Sequence, residues 1–171
     1  MTPRDIPDKI PDLDHGAQTS ARAVEELAAS FGVAILNHAT FRGEETLLVD
    51  TARLVAICRW LKDSPDFRFI YLVDITASHW LERDYDYEVA YLLCSLKHNA
   101  MLRLKVRPAG GSANVPTVTG VWATADWLER EEWDKVGVIF DGHPNLKRIL
   151  MPEDWEGHPL RRDYPVEGIG A

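Results

Sequence analysis

Residues capable of chemistry gather in the last third of this 171-residue chain. Gly-His-Pro occurs twice, as Asp141-Gly142-His143-Pro144 and Glu156-Gly157-His158-Pro159, with Glu153 and Asp154 between them. Imidazole and carboxylate are ordinary zinc ligands. The two histidines stand fifteen positions apart, however, with no His-x-x-x-His or His-x-His to bring them together, so the spacing argues against a metal. The alternative is that a turn glycine, a capping histidine and a rigid proline fix the direction of the chain, with imidazole N–H groups satisfying backbone carbonyls. Glu129 and Glu131 flank Arg130 and suggest a carboxylate pair for hydrolysis. On a helix, residues two apart point to different faces, so the two cannot flank one bond. Arg130 is expected to pair with one glutamate, or with Asp126 or Asp134, leaving the other glutamate for a partner.

Lys147-Arg148 and Arg161-Arg162 lie beside Trp155 and Tyr164. Arginine and aromatic residues are enriched at protein contacts, and a solvated basic face is the plainer alternative. Pro144, Pro152, Pro159 and Pro165 recur about every seven residues, and each removes a donor and extends the residue before it. Residues 141–171 therefore read as an extended strap. Leu146, Ile149, Leu150, Trp155, Leu160 and Tyr164 make it too apolar for a solvated tail, so it must lie on a surface. Its lack of self-sufficient structure favours another subunit as that surface. The strap is expected to contribute mainly intermolecular contact, leaving a chain ended at Phe140 folded.

The elements that must position these residues follow from periodicity. Residues 1–18 read as a flexible leader, because Pro3, Pro7 and Pro11 alternate with acidic residues. Thr19 or Ser20 then offers an N-cap to a helix with Val24, Leu27, Ala28 and Phe31 on one face, stopped by Gly32. VAILNH and ETLLVD are strands around an Arg42-Gly43 turn, and Asp50 caps a second helix through Leu54, Ile57, Cys58 and Leu61, ended by Ser64-Pro65. FRFIYLVDIT, YEVAYLLCSL and MLRLKVR follow as strands, with a short His98-Asn99 junction that implies an antiparallel meander. PAGGSAN is a loop, and a helix from about Ala125 to Val136 has Thr124 as its cap and Gly137 at its end. The order implies an α+β domain over residues 19–140, a mostly antiparallel sheet with helices on one face.

A net charge of -8 argues against non-specific binding to nucleic acid or anionic lipid. Cys58 and Cys94 sit in apolar stretches outside any Cys-x-x-Cys and read as reduced core thiols. Two cysteines cannot supply the four thiolates of an iron–sulfur cluster, and neither a dinucleotide fingerprint nor a P-loop is present. No window approaches the ~20 apolar residues of a membrane span.

The same residues carry a resemblance. Trp127, Glu129-Arg130-Glu131, Trp133-Asp134, Gly137, Phe140, Gly142-His143-Pro144, Leu146, Arg148-Ile149-Leu150, Gly157-His158-Pro159-Leu160-Arg161 and Asp163-Tyr164-Pro165 stand in the order and spacing of a known signature. The chain resembles the 30 kDa subunit of respiratory complex I, the bacterial NADH:quinone oxidoreductase. It departs at Lys135-Val136, where the family's Asp-Met-Phe-Gly-like tetrad reads Asp134-Lys135-Val136-Gly137. The resemblance implies a scaffold of the peripheral arm on the cytoplasmic face of the membrane, without cofactor, metal or catalytic residue of its own. FMN, iron–sulfur clusters and quinone would belong to partner subunits. It further implies that the strap packs on the 49 kDa neighbour, which carries the quinone site, near the adjacent iron–sulfur subunit. Glu129, Arg130, Glu131, His143, Lys147, Arg148, Trp155, His158, Leu160, Arg161, Arg162, Asp163 and Tyr164 would form that interface. Homologous subunits of membrane-bound hydrogenases, formate hydrogenlyase and F420H2- or ferredoxin-linked dehydrogenases are the second reading. An autonomous metal-dependent hydrolase using His143, His158 and a carboxylate is a remote third.

Overall fold

A computed structural model describes residues 13–109 and 113–169. The first helix, α1, spans Leu13–Phe31, so it begins earlier than the reading of residues 1–18 as a leader allows; residues 1–12 lie outside the described part. Thr19 and Ser20 are thus interior rather than capping. The Ser20 hydroxyl instead donates to the Met101 carbonyl at 2.8 Å, tying α1 to the sheet. Gly16 makes that approach possible, since a Cβ there would stand 2.1 Å from the Asn99 carbonyl oxygen. Ala23, Val24 and Leu27 are buried on the inner face of α1, and Gly32, at φ 46°, ends it as expected.

Strands β1 (Ile35–Phe41) and β2 (Glu44–Val49) form a hairpin. Its two turn residues, Arg42 and Gly43, both have positive φ (53° and 81°), the conformation whose twist matches a two-residue hairpin. Asp50 accepts the Ala52 amide at 3.0 Å and starts a 3-10 turn leading into α2, Leu54–Asp63. Leu54, Ile57, Cys58 and Leu61 of α2 are buried, each leucine or isoleucine contributing about 1.5–3 kcal/mol by leaving water. Strands β3 (Tyr71–His79), β4 (Tyr87–Ser95) and β5 (Ala100–Val106) make the expected antiparallel meander, with Asn99 left-handed at φ 49° in the β4–β5 turn.

The five-stranded order is β1-β2-β5-β4-β3, and it contains one pairing the local pattern does not announce: β2 runs parallel to β5. Val49, Leu47, Leu102, Leu104, Val89, Tyr91 and Ile75 join the buried core. Arg103 and Lys105 of β5, and Arg107 just past its end, meet carboxylates: Lys105 and Arg107 both bind Glu88 at 2.8 Å, and Arg103 binds Glu44 at 3.0 Å. Cys58 and Cys94 are free thiols; Cys58 is a core residue, whereas Cys94 is only half-buried.

Helix α3 (Ala125–Val136) has the expected bounds, and Gly137, left-handed at φ 85°, closes it with its amide on the Glu132 and Trp133 carbonyls. Thr124 makes no side-chain cap bond and is itself in helical conformation, so its capping role is corrected. Glu132 accepts the Ala77 amide of the edge strand β3 at 2.7 Å. Thus α3 shields an edge whose unpaired donors would otherwise invite another strand. Two short strands, β6 (Asn114–Pro116) and β7 (Ile139–Asp141), pair in parallel beyond the main sheet. Gly110 and Gly111 of the expected loop lie outside the described residues.

Candidate partner-binding surface

After β7 the chain turns back and runs over α3, held by polar side chains aimed inward. Asp134 is the centre of this clasp. Its carboxylate is fully buried, one oxygen accepting the amides of Ile149 (3.0 Å), Leu150 (2.8 Å) and Met151 (2.9 Å), the other accepting Arg148 Nη1 at 2.6 Å. Burial alone would raise its pKa, but the three amides and the guanidinium outweigh it and hold the carboxyl at about 2. Arg148 also donates to the carbonyls of Asp134, Trp155 and Gly157, so its fork is occupied within the chain.

The two histidines pin opposite ends of α3. The His143 ring is buried near the start of the helix, where Nδ1 accepts the Asn145 amide at 3.0 Å. That bond places the proton on Nε2, which lies 3.1 Å from the Asp126 carbonyl. At the other end, His158 Nδ1 meets the Asp134 carbonyl at 3.0 Å, and its ring stands edge-on to Trp133 at 6.0 Å. A Cβ on Gly137 would lie 2.6 Å from that ring, so the left-handed glycine and the histidine fit only as a pair. The histidines thus act on backbone carbonyls, and among the described residues no group of three His, Cys, Asp or Glu side chains could hold a metal.

Several other expected interface residues also find partners within the chain. Arg130 pairs with neither glutamate: it donates to the carbonyl oxygens of Lys147 and Arg148 and lies 4.8 Å over the Trp127 ring. Glu129 is buried and accepts the Thr117 hydroxyl at 2.5 Å and the Val118 amide at 2.7 Å; burial pushes its carboxyl up to about 7. Glu131 takes Lys135 one turn on, at 2.6 Å. Arg161 grips Asp163 with two bonds (2.8 and 2.7 Å) and the Tyr87 hydroxyl, holding the Asp163 carboxyl at about 2. Tyr164 reaches the Glu156 carbonyl at 3.4 Å.

The inner side of the strap thus packs on its own domain. Other residues remain outward: Trp127 is 62% exposed, Leu150 54%, Trp155 38% and Leu160 61%, with the side chains of Lys147 and Arg162 exposed beside them. Leu160 shows the division within one residue, its amide bound to the Lys135 carbonyl at 2.9 Å and its side chain facing out. Sequence reasoning missed Asp134 as the clasp and Glu132 as the edge cover. A signal existed for the first, because an aspartate in the last turn of a helix opposes the helix dipole and calls for compensating donors.

An α+β domain whose C-terminal chain is folded back as a clasp, with apolar side chains left outside, is the class these features define. The chain belongs to the respiratory-chain NADH dehydrogenase 30 kDa subunit family, whose description matches residues 47–169. It is 44% identical over 147 residues to the NADH-quinone oxidoreductase C-subunit of Geotalea uraniireducens, covering 86% of this chain and 88% of that one. It is 43% identical over 150 residues to the protein of the same name from a Roseiflexus species, covering 88% and 86%. Among solved structures, a trypsin-resistant fragment of Nqo5 aligns with a TM-score of 0.59 at 24% identity, over 75% of this chain and 99% of that one. A chain of the membrane-bound sulfane sulfur reductase, an archaeal respiratory membrane complex, aligns at 0.71 and 22% identity over 85% of each. These two share the fold.

Proposed function

We propose that this chain is a structural and assembly subunit of a proton-translocating NADH:quinone oxidoreductase, without independent activity. It holds the 49 kDa neighbour near the adjacent iron–sulfur subunit, and so supports electron transfer from NADH to quinone through FMN, clusters and quinone carried by partners. Family membership supports the complex. The observation that carries the role is the outward set of Trp127 on α3 and Leu150, Trp155 and Leu160 on a strap that the domain has already fixed. Large exposed aromatic and aliphatic side chains on a rigid base suit a protein contact, since little ordering is lost when they dock.

No helix among the described residues is long and apolar enough to cross a membrane. In this reading the chain reaches the cytoplasmic face of the membrane peripherally, through its complex. A related membrane-bound complex is the second reading, favoured by the structural likeness to the sulfane sulfur reductase chain. The 44% identity to an NADH-quinone oxidoreductase component over most of the chain weighs toward the first.

Purification in mild detergent through a tag on this chain, with mass spectrometry of what accompanies it, tests the assignment. A flavin-bearing, NADH-oxidising module with a 49 kDa neighbour is the expected result. A hydrogenase-type module would select the second reading, and a chain that purifies alone would refute both.

A further inference from the structure

The clasp divides the basic pair Arg161-Arg162. Arg161 is spent on Asp163 and Tyr87, whereas the exposed guanidinium of Arg162 has no carboxylate within ion-pair distance among the described residues. Its backbone, in contrast, is fixed: the Arg162 amide donates to His79 Nδ1 at 3.2 Å. Arg162 lines a groove of about 340 Å³ between the β3 edge, α3 and the strap, with Ala77, Trp80, Val136 and Leu160 as its apolar lining.

We propose that this groove receives an extended segment of a neighbouring subunit and that Arg162 binds a carboxylate on it. This rests on the reading of the chain as a subunit of a complex. Three observations specify an acidic and apolar occupant. Arg162 is a planar fork of donors held ready on a fixed backbone, the geometry that suits a carboxylate. The Trp80 indole N–H, from a residue lining the same groove, is buried with no acceptor among the described residues, a deficit that native proteins rarely leave. The half-exposed Leu160 wall offers an apolar neighbour to the charge. The other charged residues on this surface are engaged: Glu132 holds the Ala77 amide and Lys135 holds Glu131. Burial raises the Glu132 carboxyl to about 7, which weakens its repulsion of an incoming acid near neutral pH.

Carbodiimide forms an amide directly between a lysine amine and a carboxylate in contact with it, so Arg162→Lys turns the proposed ion pair into a covalent mark. The tagged Arg162→Lys chain is purified with its complex, treated with the carbodiimide and mapped by mass spectrometry, with Arg161→Lys in parallel. The expected result is a link from position 162 to an aspartate or glutamate of another subunit, absent from position 161. In addition, Arg162→Ala releases the chain from the complex about two- to fivefold faster at low salt, with the difference shrinking at high salt. A complex that co-purifies intact but links position 162 only to Glu132 or Asp163 of this chain overturns the inference and leaves the proposed function standing. A chain that arrives without partners overturns both.

Discussion

Asp134→Asn changes one atom of a side chain and should cost this domain more than any surface substitution. The carboxylate is fully buried and receives four donors, three amides of the strap and Arg148. An asparagine presents its NH2 group to one of those sets, so a donor faces a donor. Folding lowers the carboxyl from 3.8 to about 2. That depression corresponds to about 2–3 kcal/mol in favour of the ionised group. Adding an unsatisfied buried donor brings the expected loss to about 3–4 kcal/mol. With a urea dependence of about 2 kcal/mol per molar, the unfolding midpoint falls by about 1.5–2 M. Tryptophan fluorescence in urea reads this, and hydrogen exchange at Ile149, Leu150 and Met151 reports loss of protection at the three bonded amides. Because folding depresses this pKa, the contribution of ionisation is complete above about pH 5 and is lost as pH falls through about 2, so the gap between wild type and variant narrows there. A midpoint within about 0.3 M of wild type at neutral pH, with all three amides still protected, would refute the account of the clasp.

Ending the chain at Phe140 removes every donor to the Asp134 carboxylate, so circular dichroism should show a destabilised remnant, contrary to the expectation from sequence. Gly137→Ala forces a left-handed alanine and drives its Cβ into His158, so thermal unfolding should reveal a loss of about 2 kcal/mol or more. Glu129 has a raised carboxyl, so its stabilising neutral form is present below about pH 4.5 and is lost as pH rises through about 7. Glu129→Gln keeps a carbonyl acceptor for Val118, while its NH2 group requires the Thr117 hydroxyl to accept instead of donate; the variant should flatten the decline of the urea midpoint between pH 5 and 8, and an unchanged slope would show that Glu129 does not cause it.

Local patterns revealed the sheet strands because alternation of buried and polar residues is a property of neighbours in the chain. MLRLKVR shows it plainly, and the structure buries Leu102, Leu104 and Val106 together. Likewise Gly137 marked the end of α3 because only a left-handed residue closes the helix there. The parallel β2–β5 pairing left no such mark, since its partners are far apart and each strand reads the same whichever neighbour it takes. The strap's basic and aromatic residues were legible as anchors but not as to what they anchor. Arg148 on Asp134 and an arginine on a foreign carboxylate have the same composition, and only the fold assigns Arg148 inward and Arg162 outward.

The β2–β5 pairing also orders events on the ribosome. Strand β2 is made about fifty residues before β5, the strand that separates it from β4 in the finished sheet. At 5–20 residues per second, the nascent β1–β2 hairpin waits on the order of 3–10 s with one long edge unmatched. Leu47 and Val49 cannot complete their final core during that interval, because β5 supplies part of it. Synthesis rate and chaperone occupancy over the intervening α2–β4 stretch therefore bear directly on yield. A slow codon run placed there would prolong the vulnerable interval, while one placed after β5 would let the sheet close before the clasp arrives.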